Sequence, residues 1–150
     1  MKTRIGFVSN SSTTSFCIYG AELNGRQILS RLRYFVRNNP ATIEQIEKSM
    51  SEDKYGREQF LIFKEVIDCS EDDINDCEGR NEVIEILERI TNLQIYNALY
   101  DGGSIYIGDG LMQMDLDETL KQFKERIELE ISRIFGKNIV YEFIDETIPS

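Results

Sequence analysis

The chain contains no histidine. That absence removes the Ser-His-Asp and Cys-His triads, the commonest general base and most catalytic zinc sites. Cysteine is scarce and odd in number. Cys17, Cys69 and Cys77 cannot complete an ordinary four-ligand zinc site unless a carboxylate joins them. Free thiols in a reducing cytosol are the simplest reading. Long apolar runs are missing as well. No stretch approaches the roughly 20 apolar residues of a membrane-crossing helix, and the start lacks the apolar core of about 7–15 residues that marks a signal peptide. The expectation is a cytoplasmic chain without membrane association. Positive charge is in deficit: 17 Lys and Arg stand against 27 Asp and Glu, a net charge of −10. Such a field disfavours direct nucleic-acid binding and anionic membranes, and leaves open a basic protein partner or mimicry of nucleic acid. With no histidine and no catalytic motif, the chain reads as a non-enzyme with no cofactor and no metal site.

What is present suits a folded domain. A chain of 150 residues, 41% of them hydrophobic, is long enough to bury a core as one domain. Its most unusual stretch is near the start. The apolar run Ile5–Val8 meets seven consecutive hydroxyl or amide residues, Ser9, Asn10, Ser11, Ser12, Thr13, Thr14 and Ser15, before a second apolar run, Phe16–Tyr19. Arg4–Val8 and Ser15–Tyr19 read as strands from their aromatic and β-branched content. The polar run between them reads as a hairpin loop capped by its own side chains. Two functional readings stand beside it: an anion cradle of backbone N–H groups and hydroxyls, and a site of hydroxyl modification. A P-loop is excluded, because the glycines and lysine it needs are missing.

Asn24–Asn38 has the helical period, with Ile28, Leu29, Leu32, Phe35 and Val36 on one face and Asn24 as cap. Arg26, Arg33 and Arg37 share a second stripe with Ser30. The arginines pair with the chain's own acids, stand solvated, or form an anion- or partner-binding ridge. Thr42–Met50 reads as a second helix with a Thr42–Gln45 capping box. Arg57–Asp68 is too densely apolar to separate helix from strand. Asp68–Glu78 holds six acids, but a calcium loop counted from Asp73 would put Glu78 at the turn glycine, so a solvated acidic loop is the better reading. Asn81–Thr91 is a third helix. Leu93–Tyr100 and Ser104–Ile107 form strands turned at Asp101-Gly102-Gly103, whose tyrosines read as strand residues rather than a base-stacking platform. Asp109–Gln113 is a loop. A helix starting at Leu116 or Asp117, with Asp115 and Glu118 as capping box, carries a stripe of Leu120, Phe123, Ile127, Ile131 and Ile134. Asn138–Ile144 is the last strand and Asp145–Ser150 a polar tail.

Two segments carry a resemblance. GFVSNSSTTSF at 6–16 resembles the N-terminal GFVSNSSSSSF-type motif of small uncharacterised proteins, many of them encoded by bacteriophages. The stretch 104–136 is similar to the C-terminal part of many of these proteins. There a tyrosine–isoleucine–glycine strand leads to an Asp-Glu-Thr turn and a charged helix with a Phe-Lys pair; here these are Tyr106-Ile107-Gly108, Asp117-Glu118-Thr119 and Phe123-Lys124. Thr13 and Thr14 depart from the all-serine form but keep its hydroxyls. The family has no established activity, so the resemblance implies origin more than mechanism.

These elements predict an α+β fold: a mixed or antiparallel sheet of about five strands covered by three to five helices. One domain would span 1–150, its N-terminal hairpin 4–19 and a C-terminal ββαβ unit at 93–144 sharing one sheet, with a helical middle at 24–92. The function expected is that of a non-enzymatic acidic interaction protein, phage-encoded and acting in the host cytoplasm. It would bind a host or viral protein in an accessory or anti-defence role. The alternatives are an anion-binding or modified Ser9–Ser15 loop, with Arg26, Arg33 and Arg37 as further binding residues, and a small virion component.

Overall fold

The computed structural model describes residues 13–99 and 103–149. The strand β1, Thr13–Asn24, is twelve residues long. It begins inside the hydroxyl run, where Thr13 and Thr14 are strand residues instead of the expected loop, while Ser15 is in the strand as expected. Threonine is β-branched and suits a pleated neighbour, and the neighbour here is the far end of the chain. Glu142–Pro149 forms β4, antiparallel to β1 with Thr13 opposite Pro149 and Gly20 opposite Glu142. The last strand thus starts later than Asn138 and takes in the expected polar tail. Between them in sequence lie β2, Gln94–Asn97, and β3, Ser104–Asp109. Among the described residues the sheet has four strands in the order β2-β3-β1-β4, every neighbouring pair antiparallel. The expected strand Arg4–Val8, Ser9–Ser12 and the turn residues Asp101-Gly102 lie outside the described residues.

Five α-helices are present among the described residues: α1 Gly25–Asn38, α2 Pro40–Met50, α3 Lys54–Asp68, α4 Arg80–Thr91 and α5 Leu120–Phe135. Asn24 caps α1 as expected: its Oδ1 accepts the N–H groups of Arg26 and Gln27, both at 3.1 Å, while Gln27 Oε1 accepts the Asn24 N–H at 2.9 Å. Two other starts differ from expectation. Helix α2 begins at Pro40, whose fixed φ favours a first helical position, and its cap residue Asn39 makes no side-chain capping bond. Helix α5 is capped by Thr119 with Gln122, one turn after the expected Asp115 and Glu118. The undecided segment is helical throughout, and Asp53 caps it at the Gly56 N–H. None of the helices among the described residues is long and apolar enough to cross a membrane.

The sheet buries side chains on both faces. Tyr19, Ala21 and Leu23 of β1 join Ile95, Ile105 and Ile107 in the main core, against Leu29 and Leu32 of α1, Phe63 of α3, Leu87 of α4 and Phe123 and Ile127 of α5. On the opposite face Phe16 and Ile18 meet Tyr96, Ile144 and Ile148. The rings of Phe16 and Tyr96 stack there with centroids 4.1 Å apart. Where β1 crosses β3, Gly20 faces Gly108. A Cβ at Gly20 would stand 1.9 Å from the Ile107 carbonyl oxygen and one at Gly108 2.0 Å from that of Tyr19. Only a residue without Cβ allows so close an approach.

Candidate functional site

The strand lengths are unequal, and the site follows from that. β3 has six residues and ends at Asp109, opposite Tyr19 of the twelve-residue β1. Beyond that point β1 runs on while the chain after β3 turns away through Gly110 and the 3-10 turn Leu111–Gln113. A hollow of about 290 Å³ opens in the gap. It is lined by Cys17, Ile18 and Tyr19 of β1, Gln94 and Tyr96 of β2, Phe143 of β4 and the turn residues Leu111, Met112 and Gln113. Its volume lies at or below the ~300–1,000 Å³ of small-molecule sites and suits one or two inserted side chains better than a large cofactor.

One arginine holds the loop beside the hollow. Arg126 of α5 grips Glu118 as a fork, Nε to Oε2 at 2.9 Å and Nη2 to Oε1 at 3.1 Å. Its Nη1 donates to Asp109 Oδ2 at 3.4 Å and its Nη2 to the Gln113 carbonyl at 3.4 Å. Asp109 is fully buried at the end of β3. The Glu118 bonds raise the guanidinium's pKa further above its ordinary value, and the same guanidinium holds the Glu118 carboxyl below the usual carboxylate range. Residues 109–118 are thereby tied to α5 at Asp109, Gln113 and Glu118. The side chains between these ties point outward: Leu111, Met112, Met114 and Leu116 are all exposed, Met112 at 77% and Leu116 fully.

Phe143 continues this apolar surface onto β4, 46% exposed and edge-on to Tyr19 at 5.0 Å. Lys124 Nζ stands 5.3 Å from both ring centroids. The Tyr19 hydroxyl donates to Glu128 Oε2 at 2.5 Å. Burial first, and then the Glu128 carboxylate, push its pKa well above the ordinary tyrosine value. A tyrosine so held keeps its proton at neutral pH and offers no base. The other polar groups of the hollow are the Cys17 thiol, Gln94, Gln113 and the Tyr96 hydroxyl, which donates to Gln94 Oε1 at 3.3 Å. This lining favours apolar contact over proton transfer.

The residues singled out from the sequence stand elsewhere. Thr13 and Thr14 lie at the outer end of β1, opposite Pro149 and Ile148. The Ser15 hydroxyl is 3.1 Å from that of Thr147. At ~3.3 Å per residue, Ser15 and Asn24 are about 30 Å apart along β1, so the structure does not bring Ser15 together with the α1 arginines. Arg26 is exposed and stands 4.0 Å from Asp73. Arg33 serves the fold: it donates to the carbonyls of Ile67 and Cys69 at 2.9 Å each, and to that of Val66 at 3.4 Å, closing the C-terminus of α3. Arg37 is exposed in the last turn of α1. In the acidic loop, Asp73 Oδ1 accepts the Asn75 N–H at 2.9 Å. The residues that sequence reasoning missed are Leu111, Met112, Met114, Leu116 and Phe143. Four apolar residues within a short loop next to Gly110 were the available signal, since methionine is common on adaptable binding surfaces.

No protein-family model matches this chain, and no curated protein and no solved structure matches it.

Proposed function

We propose that this is a non-enzymatic interaction protein that docks a basic protein partner on the surface formed by the 111–116 loop and Phe143. The observation that carries the reading is the pairing of outward apolar side chains with a backbone held at three points by Arg126. Apolar groups on a pre-organised loop lose little conformational entropy on binding, and a buried apolar anchor surrounded by polar residues is the usual anatomy of a protein contact. The hollow beside the loop has room for the partner's anchor. Asp115 and Asp117 are exposed on the loop and Asp145 on β4, and the net charge of −10 favours a basic partner and repels acidic ones. Following the resemblance, the chain is phage-encoded and the partner a host or viral protein met in the bacterial cytoplasm.

The test is capture from a bacterial lysate by the wild-type chain and by a Met112→Asp/Leu116→Asp variant. A partner retained by the wild type in moderate salt, released as salt rises and lost from the variant is the expected result. Retention of nothing, or equal retention by both chains, overturns the proposal.

A further inference from the structure

Away from this surface, the loop between α3 and α4 brings two thiols together. Cys69 Sγ and Cys77 Sγ are 3.8 Å apart. Each is fixed by its backbone. Cys69 ends α3, its N–H donating to the Val66 carbonyl at 3.3 Å, and Cys77 ends the 3-10 turn Ile74–Asp76, its N–H donating to the Ile74 carbonyl at 3.0 Å. Arg33 clamps the first of them, with Nη2 2.9 Å from the Cys69 carbonyl oxygen and 3.5 Å from its Sγ. Between the cysteines, Ile74 is fully buried and holds the loop to the core. The sulfurs need close by less than 2 Å to reach the ~2.05 Å of a disulfide.

The two thiols differ in access. Both line an open hollow of about 460 Å³, but Cys69 is half-buried whereas Cys77 is only 7% exposed. Five carboxylates line the same hollow: Glu65, Glu71, Asp76, Glu78 and Glu82. An anionic oxidant is repelled there and a cationic one is drawn in.

We propose that Cys69 and Cys77 form a thiol–disulfide site that reacts with small cationic disulfides. The Cys69 thiolate attacks one sulfur of the reagent, expels one thiol and carries the other half as a mixed disulfide. Cys77 then loses its proton and attacks Cys69 Sγ, and the second reagent thiol leaves. Two protein thiols become one disulfide, and the reagent disulfide takes up the two electrons and two protons as two thiols. Burial pushes the Cys77 thiol up to about 11, which keeps it protonated while Cys69 reacts and makes its attack on the mixed disulfide beside it the slower step. The new bond closes the 69–77 loop over Ile74 and staples the end of α3, where Arg33 also binds, to the approach of α4.

The test uses cystamine, a doubly cationic disulfide, on the full chain carrying Cys17→Ser, so that only the pair reports. After alkylation of remaining thiols, the expected product is lighter by two hydrogens. Both cysteines fall in the tryptic peptide 65–80, and cleavage between them at the acidic residues leaves two fragments joined until reduction. Oxidation raises Tm by on the order of 5 °C, as expected for closing so short a loop, and dithiothreitol reverses it. A Cys77→Ser variant stops at a stable cysteamine adduct on Cys69. Persistence of that adduct in the chain that retains Cys77, or failure of both thiols to react until the protein is unfolded, overturns the proposal.

Discussion

Replacing Arg126 by methionine tests the anchor of the candidate surface directly. The substitution keeps an unbranched side chain and removes the guanidinium, which stands 5.4 Å from the Phe123 ring centroid and serves Glu118, Asp109 and the Gln113 carbonyl. Asp109 is the costly partner. Its side chain is 0% exposed, against 34% for that of Arg126. Removing one member of a fully buried pair costs ~3–5 kcal/mol, because the other charge stays buried. Water reaches Arg126, so the cost falls below that range, to about 2–3 kcal/mol. For a chain of this length that lowers Tm by about 5–10 °C, measurable by urea and thermal unfolding. Adding Asp109→Asn to Arg126→Met removes the buried charge, so the double variant loses less than the two single losses added together. The pH profile gives a second reading. Arg126 holds the Glu118 carboxyl below its ordinary pKa, so the folded chain binds that proton less readily than the unfolded one. The resulting stability is present at neutral pH and is lost on acidification below about pH 4. Arg126→Met flattens that acid limb. Stability within about 0.5 kcal/mol of wild type, with an unchanged acid limb, would refute the reasoning; a loss of this size is expected only where a contact matters.

Three further outcomes follow from single residues. Leu116→Ser changes urea stability by less than about 0.5 kcal/mol, because the side chain is fully exposed, yet it weakens partner capture at least several-fold; a stable variant with undiminished capture would separate Leu116 from the surface. Gly20→Ala drives a methyl group into the Ile107 carbonyl and costs more than about 3 kcal/mol or prevents folding, so a soluble variant with wild-type Tm would show that β1 and β3 can part there. Under native conditions at pH 8, iodoacetamide modifies exposed Cys17 first and Cys77 last, since Cys77 is buried and its thiol is pushed up to about 11; peptide mapping of a time course reads the order.

The helices with a clean apolar stripe were legible in the sequence because burial follows the 3.6-residue period. Ile28, Leu29, Leu32 and Phe35 in α1, and Phe123, Ile127, Ile131 and Ile134 in α5, are all buried. Helix α3 hid its period. Phe60, Phe63 and Val66 face the core, but Leu61 and Ile62 between them are exposed, and local composition cannot tell a buried isoleucine from an exposed one. The hydroxyl residues of β1 misled for a related reason. Threonine is a turn-forming residue type, and what makes Thr13 and Thr14 strand residues is pairing with 148–149, more than 120 residues away. Leu120, placed on the α5 stripe by spacing, is instead exposed at the helix start, since the cap lies at Thr119.

The candidate site was harder still, because no element contains it. Asp109 is the last residue of a strand, Glu118 sits in a turn and Arg126 lies two turns into a helix; only their meeting makes the anchor. The hollow likewise belongs to no segment. It exists because β1 outruns β3 by several residues on one side while it pairs with β4 on the other. A strand of matching length after Asp109 would have paired with Cys17 and Ile18 and closed the gap with backbone hydrogen bonds. The chain instead turns at Gly110 and presents leucine and methionine to solvent, at a cost in exposed apolar surface that folding alone does not require. A single salt-bridged arginine then fixes that exposed segment in place. Exposure without rigidity would be an ordinary loop, and rigidity without exposure an ordinary core; the combination on an acidic chain is the ground on which the proposed docking surface rests.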